Sequence, residues 1–275
     1  MSKPARDRVP AVVTTGHDHI ATAFATRPGR AALMPYLMGG FPDMQTSRDI
    51  GIACADNGAD LLELGIPYSD PLADGPVIHA AGTAALRAGS TPDGVLGVAE
   101  ELARRLPVVL MCYVNLVLAR TPDGFAKAAA RAGVSGLIVP DLPLEEAPEI
   151  SEACERHGIA LVPLVAPTTP TDRLRAIGAK ARGFLYTVSV VGTTGERATD
   201  EDGYRSILSR VKEFSEVPVA IGFGISTPEQ AAAAARAGAD GVIVGTRLVR
   251  AAAESDDPAA AVAELVMGLA GGLIR

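Results

Sequence analysis

Three stretches of the chain repeat one eight-residue pattern: Asn57-Gly58-Ala59-Asp60-Leu61-Leu62-Glu63-Leu64, Ala132-Gly133-Val134-Ser135-Gly136-Leu137-Ile138-Val139 and Ala237-Gly238-Ala239-Asp240-Gly241-Val242-Ile243-Val244. Each reads as a helix end, a glycine stop and a buried strand. Between them, short runs rich in Val, Ile and Leu alternate with Ala-rich segments of helical spacing. Eight strands are predicted: Leu33–Met38, Asp60–Leu64, Pro107–Tyr113, Gly136–Val139, Ala160–Leu164, Gly183–Thr187, Pro218–Gly222 and Gly241–Val244. Strands that are apolar throughout are covered on both faces, and helical crossovers between them demand parallel pairing.

Eight such units in 275 residues predict an α/β fold, a single (β/α)8 TIM barrel with a parallel eight-stranded sheet. A doubly wound parallel sheet is the alternative. No Pro/Ser-rich linker divides the chain, so residues 21–275 read as one domain. Residues 1–20, carrying Lys3, Arg6, Asp7 and Arg8 with no continuous apolar stretch behind them, read as a flexible N-terminal tail rather than a secretory signal.

Composition narrows the function. Lys plus Arg number 25 against 32 Asp plus Glu, a net charge of −7 without a basic block, which disfavours nucleic acid and anionic membranes as partners. The longest uncharged runs, Leu106 to Ala119 and Gly158 to Thr171, are 14 residues each, short of the ~18 that a membrane span needs. A cytoplasmic location is expected. Cys54, Cys112 and Cys154 are odd in number and far apart, so they read as reduced core thiols. His17, His19, His79 and His157 form no metal-ligand pattern, and no GxSxG elbow is present.

In a barrel of this kind the chemistry sits where the strands end. The run after the second strand is Glu63-Leu64-Gly65-Ile66-Pro67-Tyr68-Ser69-Asp70-Pro71-Leu72-Ala73-Asp74-Gly75-Pro76. A carboxylate inside Leu61-Leu62-Glu63-Leu64 is costly unless pairing or chemistry compensates it. Alternation puts Glu63 on the face opposite Leu62 and Leu64. If that face is the lumen, desolvation raises its pKa and suits it to proton donation. The other reading is a buried Glu paired with Lys or Arg. Asp70 fits a turn cap, and Asp74, before Gly75-Pro76, is either a helix N-cap or a functional acid.

Three glycine-bearing segments, Val190-Val191-Gly192-Thr193-Thr194-Gly195, Gly222-Phe223-Gly224-Ile225-Ser226 and Val244-Gly245-Thr246-Arg247, follow the last three strands. Backbone amides exposed by glycine can converge on an anion, so a phosphate site is expected at the loops after strands 6–8.

With these motifs the chain resembles the tryptophan synthase alpha subunit family over about Arg30 to Arg250. The strongest match is Leu62 through Pro76. It is supported by Met111-Cys112-Tyr113-Val114-Asn115, Val139-Pro140-Asp141-Leu142-Pro143, Gly192 to Gly195 and Gly222 to Ser226. The resemblance implies a lyase of tryptophan biosynthesis that cleaves indole-3-glycerol phosphate by a retro-aldol reaction into indole and glyceraldehyde 3-phosphate. It makes Glu63 the acid-base residue and Asp74 the acceptor for the indole N–H. It assigns substrate to Tyr186, Thr194, Gly195, Phe223, Gly224, Gly245 and Thr246, with phosphate falling to Gly195, Gly224, Gly245 and Thr246.

The resemblance also implies an α2β2 heterotetramer with a beta subunit that holds pyridoxal phosphate, no cofactor or metal in this chain, and a partner interface at Asp70, Asn115 and Asp141. Two departures stand out. Thr246 replaces a frequent serine and keeps the hydroxyl, while Val190-Val191 stands where some relatives carry arginine, so no loop-closing contact from that arginine is assigned. The rival readings are another phosphate-binding barrel enzyme and a catalytically silent regulatory subunit. Lys3, Lys127, Lys180 and Lys212 lie away from the strand ends, which disfavours a lysine mechanism.

Overall fold

The computed structural model describes residues 15–26, 29–188, 201–222 and 224–273. Its strands are β1 (Ala32–Met38), β2 (Leu62–Gly65), β3 (Val108–Met111), β4 (Gly136–Ile138), β5 (Ala160–Val162), β6 (Leu164–Val165), β7 (Leu185–Val188), β8 (Val219–Gly222) and β9 (Gly241–Val244). Around them run α1 (Gly16–Ala25), α2 (Met44–Asp56), α3 (Pro76–Arg87), α4 (Pro92–Leu102), α5 (Val114–Ala119) and α6 (Pro122–Arg131). The second half adds α7 (Pro148–Arg156), α8 (Thr171–Lys180), α9 (Glu201–Lys212), α10 (Pro228–Arg236), α11 (Thr246–Glu254) and α12 (Pro258–Gly272).

Every strand pairing is parallel, in the order β5-β4-β3-β2-β1-β9-β8-β7-β6. The two end members belong to one run, residues 160–165. β5 pairs with β4 and β6 pairs with β7, so the run joins the edges of the sheet and closes the barrel. Pro163 divides it, because proline has no N–H for a ladder, although its carbonyl still accepts from Tyr186 N–H at 3.0 Å. The fifth expected strand is therefore two short ones, and the (β/α)8 barrel is otherwise as expected.

Alternation along the strands separates two cores. Leu62, Leu64, Leu110 and Val242 point outward into the layer beneath the helices, whereas Met34, Val109, Val162, Tyr186 and Ile243 fill the lumen. The eight-residue repeat has a mechanical purpose at the barrel floor. Gly58, Gly133 and Gly238, at φ +108°, +72° and +106°, end α2, α6 and α10 in the left-handed region that only glycine enters freely. Asp60 then accepts from Leu33 N–H at 2.8 Å and Asp240 from Val219 N–H at 2.9 Å, so each carboxylate fixes an amide near the start of a neighbouring strand. Arg30 pairs with Asp60, and Lys212 with Asp240 at 2.8 Å.

The floor is also plugged. α1 starts at Gly16, capped by Thr15 in a capping box with Asp18, and buries Ile20 completely. Phe24 meets Phe184 with ring centroids 5.7 Å apart. The boundary expected at residue 20 thus falls inside α1, because Ile20 and Phe24 are the apolar cover that the open lumen requires. Residues 1–14 lie outside the described residues.

Candidate active site

Glu63 stands in the lumen of β2, opposite Tyr36 of β1 and Val109 of β3. It is 1% exposed, and neither carboxylate oxygen has a hydrogen-bond partner among the described residues. The alternative of a buried pair with Lys or Arg is not what the described residues form. Burial first, and the charge of Asp74 second, push its pKa up to about 8. A carboxyl in that range is mostly protonated at neutral pH and can both give and take a proton.

Asp74 lies on the loop between β2 and α3. The N-cap of α3 is Gly75, one residue past Asp74, so the capping alternative for Asp74 does not hold. Its Oδ1 instead accepts from Tyr113 Oη at 3.0 Å, and the Ala73 N–H donates to the same Oη at 3.0 Å. Burial raises the Asp74 pKa, while the Tyr113 hydrogen bond and His79 act in the opposite direction.

Both acids open on a cavity of about 860 Å³ at the C-terminal end of the strands, lined in part by Tyr36, Met111, Leu164, Tyr186 and Ile243. The same cavity reaches Gly224, Gly245 and Thr246. Gly245 is the N-cap of α11 and has no side-chain cap, which leaves first-turn amides and the positive end of the helix for an anion. Ser226 and Thr227 are held beside it, since Gln230 Oε1 accepts from the Ser226 N–H at 2.8 Å and the Thr227 N–H at 3.2 Å.

Two tyrosines are seated on glycines. A Cβ at Gly65 would lie 2.3 Å from Tyr36 Oη, and one at Gly222 would lie 2.5 Å from Tyr186 Oη. Any side chain at either position would displace a phenol from the lumen.

The arrangement can therefore protonate a buried ring carbon, accept a ring N–H and hold an anionic group at the opposite wall. Residues 23–271 match the family model described as the tryptophan synthase alpha chain. The chain belongs to that family. Among relatives, the tryptophan synthase alpha chain of Prochlorococcus marinus (strain MIT 9313) is 50% identical over 224 residues, covering 81% of this chain and 82% of the relative. That of Synechococcus sp. (strain CC9902) is 51% identical over 226 residues, covering 82% and 84%. Among solved structures, Mycobacterium tuberculosis tryptophan synthase superposes with a TM-score of 0.87 at 38% identity, covering 93% of this chain and 98% of that one. Subunit alpha from Legionella pneumophila str. Paris gives 0.86 at 33% identity, covering 95% and 99%.

Within this tryptophan synthase alpha chain fold, Glu63, Asp74, Tyr186, Gly224, Gly245 and Thr246 share one cavity. Thr194, Gly195 and Phe223 lie outside the described residues, as does Val190. Asp70 and Asn115 are exposed and Asp141 is half-buried. Asp70 accepts from Ser69 Oγ at 2.5 Å, Asn115 Nδ2 donates to Tyr68 Oη at 2.8 Å, and Asp141 Oδ1 accepts from the Val114 N–H at 2.9 Å. Sequence reasoning missed Tyr36 as a cavity group and Tyr113 as the partner of Asp74. The available signal for Tyr36 was alternation, which puts it on the Met34 face of β1. Tyr113 sat inside a quoted motif, but its bond to Asp74 spans 39 residues and left no local trace. Among the described residues no group of three or more His, Cys, Asp or Glu side chains assembles as a metal site, and no helix is long and apolar enough to cross a membrane.

Proposed function

We propose that this chain catalyses the alpha reaction of tryptophan synthase, the reversible cleavage of indole-3-glycerol phosphate to indole and glyceraldehyde 3-phosphate. The observation that carries this reading is the pair of unlike acids at one cavity: a fully buried Glu63 whose oxygens have no hydrogen-bond partner among the described residues, and an Asp74 oriented by a tyrosine.

Protonated Glu63 gives its proton to indole C3, and positive charge grows on the ring nitrogen. Asp74, ionised, accepts the ring N–H and stabilises that charge. The side-chain hydroxyl then passes its proton to the Glu63 carboxylate. The carbon–carbon bond breaks, its electrons restore the aromatic ring, and the aldehyde forms. Glu63 ends as it began, so the proton count closes.

Tyr186 packs on the bound ring with Phe223, and phosphate is held by Gly195, Gly224, Gly245 and Thr246. Thr194 pairs with Asp74 when the loop over the substrate closes and excludes water. The −7 net charge does not oppose an anionic ester, because backbone amides bind it without side-chain charge.

The family implies a beta-subunit partner. We assign an α2β2 assembly, contacts at Asp70, Asn115 and Asp141, passage of indole by a tunnel to pyridoxal phosphate in the beta subunit, and a cytoplasmic location. The test is indole release from indole-3-glycerol phosphate by the purified chain, with and without a beta subunit. Glu63→Gln and Asp74→Asn are each expected to lower turnover by about a hundredfold or more. Wild-type turnover in Glu63→Gln would refute the mechanism. No indole from the wild type with a competent partner would favour the silent regulatory subunit instead.

A further inference from the structure

Tyr113 bonds two consecutive residues of the loop before α3: it accepts the Ala73 N–H and donates to Asp74 Oδ1, both at 3.0 Å. A phenol carries a single proton, so the first bond decides the second. The lone pair takes the amide, and the O–H must go to the carboxylate. We propose that Tyr113 is a positioning residue for Asp74, occupying Oδ1 and thereby reserving Oδ2 as the oxygen that meets the substrate's ring N–H. The inference rests on the alpha-reaction reading given above and adds a residue to it.

Tyr113 is anchored by more than its bonds to Ala73 and Asp74, through Tyr68 earlier in the same loop and through the start of α5. Its ring is 4% exposed and stacks on Tyr68, with centroids 5.3 Å apart and planes at 26°. Tyr68 is tethered in turn by Asn115. Tyr113 is also the N-cap residue of α5, and the next amide, Val114 N–H, is bound by Asp141. A carboxylate on a loop has two equivalent oxygens and a free torsion, and a pinned donor on one of them removes that freedom before substrate arrives. Among the described residues the titratable groups that interact with Asp74 are Glu63 of β2, Tyr36 of β1, Tyr113, and His79 of α3. Of these, Tyr113 is the larger of the two influences that favour the Asp74 carboxylate against burial. Losing its O–H therefore moves Asp74 toward the protonated form, in which it serves the N–H less well.

Tyr113→Phe keeps the ring on Tyr68 and removes only the hydroxyl. With the beta subunit present, kcat/KM for indole-3-glycerol phosphate at pH 7.5 is expected to fall about tenfold to a hundredfold, as for loss of a hydrogen bond to a charged group. The acidic limb of the pH profile is expected to move to higher pH. Site-specific 3-fluorotyrosine, which keeps the shape and donates more strongly, is expected to move that limb to lower pH, and it serves if the Phe variant does not fold.

A binding pair separates positioning from structural support. By calorimetry, Tyr113→Phe is expected to weaken indole-3-propyl phosphate about tenfold and to leave its benzofuran counterpart, which has no ring N–H, within about twofold. Equal losses for both esters, or a wild-type pH limb with wild-type kcat/KM, overturn the proposal. If the wild-type chain cleaves no substrate, the alpha-reaction reading itself has failed, a result distinct from a Tyr113 variant that matches an active wild type.

Discussion

At the floor of the barrel Asp60 and Asp240 accept from amides near the start of neighbouring strands and are met by Arg30 and Lys212. At the mouth Glu63 is buried with neither oxygen bonded among the described residues. Asp60 and Glu63 are separated by only two residues of the same strand run. Both are carboxyls in apolar surroundings, and compensation is what differs. A buried carboxylate given a cation and amide donors orders the chain around it. One given neither keeps its proton, and the cost of burial becomes a pKa near that of the working solution. A single strand thus has a structural end and a chemical end, and the partners around each acid tell them apart.

Replacing the acid at the mouth is the strongest way to break this comparison. The folded pKa of Glu63, about 8, lies above that of an unfolded glutamate. Between roughly pH 4.5 and 8 the unfolded chain therefore releases a proton that the folded chain keeps, and stability falls as pH rises through that window. Glu63→Gln removes the slope. At pH 9 the variant is expected to be more stable than wild type by as much as about 5 kcal/mol, a difference that shrinks toward pH 5. Denaturant titrations across that range measure it, and parallel curves for the two proteins would mean that Glu63 is compensated after all.

The reverse is expected at the floor. Asp60→Ala strands the buried Arg30, and a loss of about 3 kcal/mol should appear in the same titrations. Turnover per folded molecule should stay near wild type, because Asp60 does not reach the cavity. A variant that keeps its stability but loses turnover would erase the distinction between the two ends.

The smallest effect sharpens the comparison within the mouth itself. Gln230 completes a capping box with Thr227 on α10. Gln230→Ala is expected to cost about 1 kcal/mol and to raise KM for the phosphate ester a few-fold with little change in kcat. A fall in kcat instead would tie the anion wall to the proton chemistry.

Much of this was legible in the chain. Glu63 stood out because one charge interrupts Leu61-Leu62-Glu63-Leu64, and alternation puts it on the face opposite Leu62 and Leu64, which only the closed sheet identifies as the lumen. The repeat ending in Asp60 and Asp240 marked strand starts, though its amide-fixing purpose needed register. Other features depend on contacts far apart in sequence. The cover formed by Ile20 and Phe24 is invisible until the lumen exists to be covered. The capping reading of Asp74 falls only once α3 is seen to start after Gly75, and the break at Pro163 shows only when the partners on each side are known to differ. The expected roles of Thr194, Gly195 and Phe223 fall outside the described residues.

The change of partner within residues 160–165 gives the barrel a seam. β5 is laddered to β4 and β6 to β7, and among the described residues no ladder joins β5 to β7, so covalent chain and side-chain packing carry the wall across Pro163. Residues Leu161 to Val165 of this run line the cavity. The width of that cavity can therefore change at the seam without rupture of a backbone ladder, which makes this stretch the natural place to resize the pocket for a bulkier ring.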